Sequence, residues 1–393
     1  MPDMPVAFET LRSALDDLEV PAGEARRLRW VVDERLGAAK TASGDFEIFL
    51  LGDALEARSA IVGRCLEHGT WRSKTDDVAF DATRVVLPPD PHFAAIAALI
   101  ATELVRVGMG AGVPTQEAFT EVEPIIELAI QRGSMADDVL LGLVSELIVL
   151  RTILRSSNRT MEQKAVLVGT WRGWQQGRDF VIGSHAVEVK ATRGLASSHA
   201  FSGLHQLEEQ TLPDGGVEVL HLLSIGLQEA PEGTFSLPGV VEDLLSELGG
   251  PVVKEPDLNP LQTQLLAWIL QYGAGGRGYR HLSMRKWPQY QAQFALSFSP
   301  RLYRISDPEM RLLQRALVED TYLRPDSVTF DATFPARVSA FNPADRWQVE
   351  LANMADTLLQ HAHVPIAPDV NRGNLSGVRL TFESEARSTL SAH

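Results

Sequence analysis

Asp179, Glu188 and Lys190 are residues whose types and spacing could do chemistry together. They lie in the run Arg178-Asp179-Phe180-Val181-Ile182-Gly183-Ser184-His185-Ala186-Val187-Glu188-Val189-Lys190-Ala191-Thr192. Two β-prone segments flank Gly183-Ser184, and Gly-X is a favoured two-residue hairpin loop of type II′. Closing that turn pairs Ile182 with His185, Val181 with Ala186, Phe180 with Val187 and Asp179 with Glu188. Side chains alternate along a strand, so Glu188, Lys190 and Thr192 share one face and Val187, Val189 and Ala191 the other. Asp179 and Glu188 are then expected side by side, ~5 Å apart at Cβ, with Lys190 next along that face. Adjacent carboxylates repel and hold protons more tightly unless a cation neutralises them. A hard divalent cation such as Mg²⁺ does this with oxygen ligands and keeps waters, one of which can become a nucleophile. A lysine alongside can orient or deprotonate that water, or stabilise charge on a phosphate.

Other elements must hold this hairpin in place. A helix is expected from about Ala136 to Leu154, apolar almost all round through Leu140, Leu141, Leu143, Val144, Leu147, Ile148, Val149, Leu150 and Leu154. Glu146 sits inside that apolar run. A buried carboxylate needs a hydrogen-bond network, a cation or a metal, so Glu146 either joins the Asp179 site or pairs with a base such as Arg151. Ala165–Thr170 reads as β-prone. Trp171 and Trp174 could stack bases, but packing beneath the sheet is the preferred reading. Strands are expected at His199–Leu207 and Val217–Leu227, then a helix at Leu237–Leu248.

The pattern Asp179, eight residues, then Glu188-Val189-Lys190, preceded by a helix-borne Glu146, resembles the PD-(D/E)XK nuclease superfamily. The superfamily's usual proline before the aspartate is Arg178 here, a departure of little weight for the metal chemistry. The resemblance implies an α/β (α+β overall) fold, a restriction-endonuclease-like core with a mixed central sheet flanked by helices. It further implies that Glu146, Asp179, Glu188 and the main-chain carbonyl of Val189 hold Mg²⁺ or Mn²⁺, and that Lys190 activates water for phosphodiester hydrolysis. Gln206 follows the lysine strand, as a site-approaching polar residue does in some relatives. The layout also resembles bacterial PD-(D/E)XK-motif proteins of antiphage defence and restriction-type gene clusters. That implies cleavage of phage or plasmid DNA beside operon-encoded partners such as an ATPase, since this chain has no P-loop. The competing reading is a non-catalytic assembly subunit of a multi-protein complex.

The chain of 393 residues has room for an N-terminal α+β domain (1–112), a nuclease-like core (113–250) and a C-terminal α+β region (251–393). One cysteine, Cys65, excludes a disulfide framework and a cysteine-rich zinc site. Met1-Pro2-Asp3-Met4-Pro5 lacks the features of a signal peptide, and no apolar run reaches membrane-spanning length, so a cytoplasmic protein is expected. The net charge of −15 is the wrong sign for a protein that coats nucleic acid. Between Arg151 and His205, however, eight Lys/Arg face three acids, and between Leu258 and Ser306 six Lys/Arg face none. Those two segments could form a local phosphate-facing groove, or be ordinary scatter.

In the first 110 residues helical spacing is read at Phe8–Leu18, Glu24–Leu36 and His92–Val107, with strands at Phe46–Leu51 and Thr83–Leu87. No catalytic constellation appears there, and a scaffold or partner-binding role is expected. Further on, Thr115–Gln131 and Leu261–Tyr272 read as helices. Gly273-Ala274-Gly275-Gly276-Arg277-Gly278 matches G-x-G-x-x-G literally but follows a helix, so it is no dinucleotide site. Arg277, Arg280, Arg285 and Lys286, interleaved with Tyr279, Trp287 and Tyr290, suit either nucleic acid or docking on an acidic surface; Arg193 is a further candidate contact. The C-terminal region reads as strands at Leu296–Phe298, Leu302–Ile305, Ser327–Phe330 and Gly377–Phe382, with helices at Pro308–Val318 and Arg346–His361. His361 and His363 could be a metal pair but lack a third ligand, so a polar helix end is the reading for His361.

Overall fold

The computed structural model describes residues 7–22, 25–73, 78–89, 93–155, 159–175, 177–273 and 278–362. The first unit begins with α1 (Phe8–Asp16) and the strands β1 (Arg26–Val32), β2 (Leu36–Thr41) and β3 (Phe46–Leu51). After the short α2 (Ala60–Arg64) come β4 (Leu66–Arg72), β5 (Ala79–Val86) and α3 (Phe93–Arg106). The strands form one antiparallel sheet in the order β1-β2-β3-β5-β4. Within the helix expected at Glu24–Leu36, Arg26–Val32 is therefore a strand. Leu28 and Trp30 alternate with Arg27 and Arg29, and the ladder to β2 runs from Arg26↔Thr41 to Val32↔Leu36. The two-residue period decides the segment once a sheet edge is available to it.

Two long helices follow, α4 (Thr115–Gly133) and α5 (Asp137–Arg155), and then α6 (Met161–Val168). The β-prone stretch from Ala165 thus lies in and just after a helix. Thr160 and Gln163 close a reciprocal capping box at its start, which satisfies two backbone N–H groups and starts the helix at Met161, ahead of the valines at 166 and 168. The second sheet is built from β6 (Phe180–Ile182), β7 (His185–Thr192) and, after β8 (Ser197–Ser202), the long β9 (Val219–Glu229). The expected strand at His199–Leu207 ends early, because Gly203 (φ 109°) turns the chain into a 3₁₀ turn at Leu204–Leu207. Helices α7 (Leu237–Glu247), α8 (Pro260–Gln271) and the short α9 (His281–Met284) lead to β10 (Phe294–Arg304). The two expected strands there are one strand with two register shifts. Last come α10 (Arg315–Glu319), much shorter than expected, β11 (Thr329–Phe334) and α11 (Trp347–His361). Gly377–Phe382 and His363 lie outside the described residues.

The second sheet has the order β10-β9-β7-β6. β7 runs parallel to β9 and the other pairs are antiparallel, so the sheet is mixed and the protein α+β. Its faces are covered differently. Val187, Val189, Leu223, Ile225 and Leu227 pack with the apolar helices α5 and α7 in a core that continues from Leu11 in the first unit to Leu359 in α11. On the other face, Ala186, Leu220, Leu222 and Tyr303 pack against Phe201 and Phe334 of a two-stranded β8–β11 ribbon. Among the described residues, no helix is long and apolar enough to cross a membrane.

Candidate active site

The hairpin at the centre of the sequence reading forms with the expected register: Ile182↔His185, Val181↔Ala186 and Phe180↔Val187. Gly183 takes φ 63° and Ser184 has no positive φ, as the first and second central positions of a type II′ turn require. The ladder stops at Phe180, so Asp179 does not pair with Glu188. The Asp179 carbonyl instead accepts from Arg172 N at 2.7 Å, and its Oδ2 accepts from the main-chain N–H of Val189 at 2.7 Å. Asp179 reaches β7 through its side chain rather than through a strand pair. Glu188 and Lys190 share a face, with Nζ 3.0 Å from Glu188 Oε1. Gln206 Oε1 accepts from Lys190 Nζ at 3.3 Å and from Ser202 N at 3.2 Å, and the ammonium lies 5.3 Å from the ring centre of Phe201.

Glu146 is buried on α5 at 4 % exposure. Its Oε2 accepts from Trp171 Nε1 at 2.7 Å and its Oε1 from the Tyr272 hydroxyl at 2.6 Å. The alternative pairing with Arg151 does not form, because Arg151 bonds Asp243 at 2.6 Å. Trp171 is wholly buried and Trp174 stacks on Trp268 with centroids 5.3 Å apart, so neither tryptophan is a free platform for a base.

These groups feel one another. Burial pushes the Glu146 carboxyl up to about 7; Tyr272 and Trp171 oppose this, the charge of Glu188 adds to it and Lys190 offsets it. Asp179 is raised well above the carboxylate range, first by burial and then by the charges of Glu146 and Glu188. Three carboxylates against one ammonium leave uncompensated negative charge on hard oxygen donors, and that donor chemistry fits a divalent cation. The cage is not preassembled: among the described residues, no group of three His, Cys, Asp or Glu side chains stands ready to hold a metal ion. Glu146 contributes to this by facing two neutral donors. Behind Lys190, Ser197 Oγ donates to Ser224 Oγ at 2.7 Å, and Ser224 Oγ lies 2.7 Å from His199 Nε2. Burial holds the His199 imidazole down to about 4.

The basic residues are mostly spoken for. Arg151 and Arg155 pair with Asp243, Arg155 and Lys164 with Glu247, Arg159 with Asp356 and Arg193 with Asp137. This first basic segment therefore ties α5 and α6 to neighbouring elements more than it lines a groove. Arg285 Nη1 and Nη2 donate to the carbonyls of Val252 and Val253, at 3.1 and 3.3 Å. Tyr279, Trp287 and Tyr290 are core residues, which removes the stacking surface the sequence suggested. Lys286 is exposed, Arg280 half-buried, and Arg277 lies outside the described residues. His361 is exposed at the end of α11.

Sequence reasoning missed three kinds of residue. Trp171 and Tyr272 cage Glu146 from 25 and 126 positions away, and no local pattern marks such partners. Arg172 is exposed beside Asp179 and pairs with no acid among the described residues. Arg178 carries more weight than its replacement of proline suggested. It is 7 % exposed and bonded to Glu218 and to the carbonyls of His205, Gln206 and Glu208.

A mixed sheet whose hairpin carries Glu188 and Lys190 beside Asp179, with a helix-borne glutamate in electrostatic reach, is consistent with a PD-(D/E)XK-like fold. Residues 125–264 match the model of a family described as "Putative PD-(D/E)XK family member, (DUF4420)". The match contains Glu146, Asp179, Glu188 and Lys190 and stops short of Tyr272. No curated protein and no solved structure matches the chain.

Proposed function

We propose that this protein is a divalent-metal-dependent phosphodiesterase acting on DNA, as an endonuclease of a bacterial antiphage defence or restriction-type system. The observation that carries the chemistry is the coupled cluster of Asp179, Glu188 and Glu146 with a single ammonium, Lys190. The match to a PD-(D/E)XK family supports the nuclease class, and the resemblance of the chain's layout supports the defence setting. Asp179, Glu188 and the Val189 carbonyl would hold Mg²⁺ or Mn²⁺, with Glu146 behind them. When bound, the cation would neutralise these carboxylates, polarise the phosphodiester and acidify water. Lys190, held by Glu188 and Gln206, orients the attacking water and neutralises charge developing on phosphate oxygens. Trp171 and Tyr272 each donate to one oxygen of Glu146 and so orient its carboxyl. Exposed Arg172 and Lys286, together with Arg193, Arg277 and Arg280, are the candidate phosphate contacts. Gln206 and Arg285 serve the fold and the lysine instead. An operon-encoded ATPase would supply any energy-driven step.

The test is incubation of purified protein with supercoiled plasmid and Mg²⁺ or Mn²⁺, with Asp179→Ala and Lys190→Ala in parallel. Nicking by the wild type that both substitutions abolish is the expected result. One observation favours the non-catalytic assembly subunit: both oxygens of Glu146 accept from neutral donors and, among the described residues, no three-ligand cage is formed. Absence of both cleavage and Mn²⁺ binding by calorimetry would select that reading.

A further inference from the structure

Arg178 precedes the candidate metal aspartate and uses every N–H it has. Nε donates to Glu218 Oε1 at 3.1 Å and Nη1 to the carbonyls of His205 and Gln206 at 3.0 and 3.3 Å, while Nη2 bonds the Glu208 carbonyl and Glu218. A guanidinium has five donors, and all five are satisfied here. Three of the acceptors belong to the 3₁₀ turn at Leu204–Leu207 and the residue after it, a short element that leaves carbonyls without an internal partner. Glu218, at the entry to β9, also accepts from Gln210 N at 3.0 Å. One buried side chain thus ties the approach to β6, the turn carrying Gln206 and the start of β9 into a single body.

Gln206 is where this body meets Lys190. Its Oε1 is fixed by the Ser202 N–H and accepts from Nζ, while Glu188 takes a second ammonium proton. An ammonium has three donors, so these two acceptors leave the third to point at water or a phosphate oxygen. We propose that Arg178 is a positioning residue for Lys190, acting through Gln206, so that one guanidinium sets both the backbone of Asp179 and the direction of the lysine. This rests on the nuclease reading. A lysine on a four-carbon stem has no such direction of its own, and misplacement of a reacting group by about 1 Å costs on the order of 100-fold in rate.

The test compares wild type, Arg178→Lys, Gln206→Ala and the double variant, with Lys190→Ala as the control for the nuclease reading. Lysine at 178 can keep the Glu218 ion pair but has too few donors for the three carbonyls as well. Melting temperatures establish folding. If Arg178→Lys does not fold, Arg178→Met with Glu218→Leu replaces it, since that pair leaves no buried charge alone. In Mn²⁺-supported plasmid nicking, each single variant is expected to lose ~10- to 100-fold in kcat with KM within about 2-fold. The double variant is expected to be no worse than the poorer single, because both act on one contact. A second readout needs no cleavage: the rate at which an amine-reactive ester acylates Lys190, followed by peptide mass spectrometry, should rise in both single variants. Multiplicative losses in the double variant, or wild-type Lys190 reactivity in folded Arg178→Lys, would overturn the proposal. A wild type that neither nicks plasmid nor binds Mn²⁺ fails the nuclease reading, while the acylation rates still judge the coupling of Arg178 to Lys190.

Discussion

Glu146 shows how much of the site's energetics hangs on single side chains. Its carboxyl is pushed up to about 7 from an ordinary 4.5, chiefly by burial. Between those values the folded protein holds a proton that the unfolded chain has released, so stability is greatest below the lower value and is lost as pH rises through the upper one. In the absence of metal, the wild type should therefore lose melting temperature relative to Glu146→Gln as pH rises from 5 to 8; the comparison removes the opposite slope of the buried His199, His221 and His281, each held down to about 4. Added Mn²⁺ should raise the melting temperature more at pH 8 than at pH 5, since a cation competes with that proton. A difference in melting temperature between wild type and Glu146→Gln that does not change with pH in this window would contradict the assignment of Glu146 as a carboxyl poised by burial. Tyr272→Phe removes one of its two donors and should cost about 1–3 kcal/mol in chemical denaturation, the penalty for an under-bonded buried polar group. At this scale the sequence revealed residues that alternate along one strand, Glu188 and Lys190, because a two-residue period is local. It concealed Trp171, Tyr272 and the five-bonded Arg178, whose partners come from distant elements.

Among the elements, the hairpin was legible almost atom by atom, because a Gly183-Ser184 turn fixes register and register fixes every side chain's face. What the turn could not fix was where pairing ends. The backbone at Asp179 leaves the ladder to bond Arg172, and the side chain then bridges to Val189. The loop between α6 and β6 matters for the same reason. A Cβ added at Gly173 would stand 1.7 Å from Glu146 Oε2 and 2.7 Å from Trp171 Nε1. Gly173→Ala should accordingly expel Glu146 from its cage, lower the melting temperature and weaken Mn²⁺ binding measured by calorimetry. An alanine variant with unchanged melting and unchanged Mn²⁺ affinity would show that the cage is not needed. The misreading of Ala165–Thr170 as a strand has a different origin. Valines at 166 and 168 favour β structure locally, yet the capping box at Thr160 and burial of Leu167 and Val168 decide for α6.

Taken whole, the molecule gives the first 112 residues a role that composition does not disclose. The helix α4 packs against α2 and α3, and one apolar core runs from Leu11 through Phe119, Val122 and Ile126 to Leu359. Polar contacts reinforce the seam. Glu123 is buried and accepts from Ser59 N at 2.7 Å, Gln116 exchanges hydrogen bonds with the backbone of Glu56, and Arg64 pairs with Glu229 of β9 at 3.2 Å. Even the end of α4 is fitted to the first unit, since a Cβ at Gly133 would fall 2.5 Å from Pro88 and 2.8 Å from Phe93. Removing residues 1–112 would strip one side of α4, and each of Phe119, Val122, Ile126 and Ile130 loses about 1.5–3 kcal/mol when its burial is undone. It would also leave the Glu123 carboxylate without its donor. A chain of residues 113–393 should then be poorly soluble and lack a cooperative melting transition, although it contains every candidate catalytic residue. A monodisperse fragment with a single sharp transition would show instead that the first unit is a detachable module, free to serve partner recognition alone. On the packing seen here it is part of the frame that holds α4 and, through it, the helix that carries Glu146.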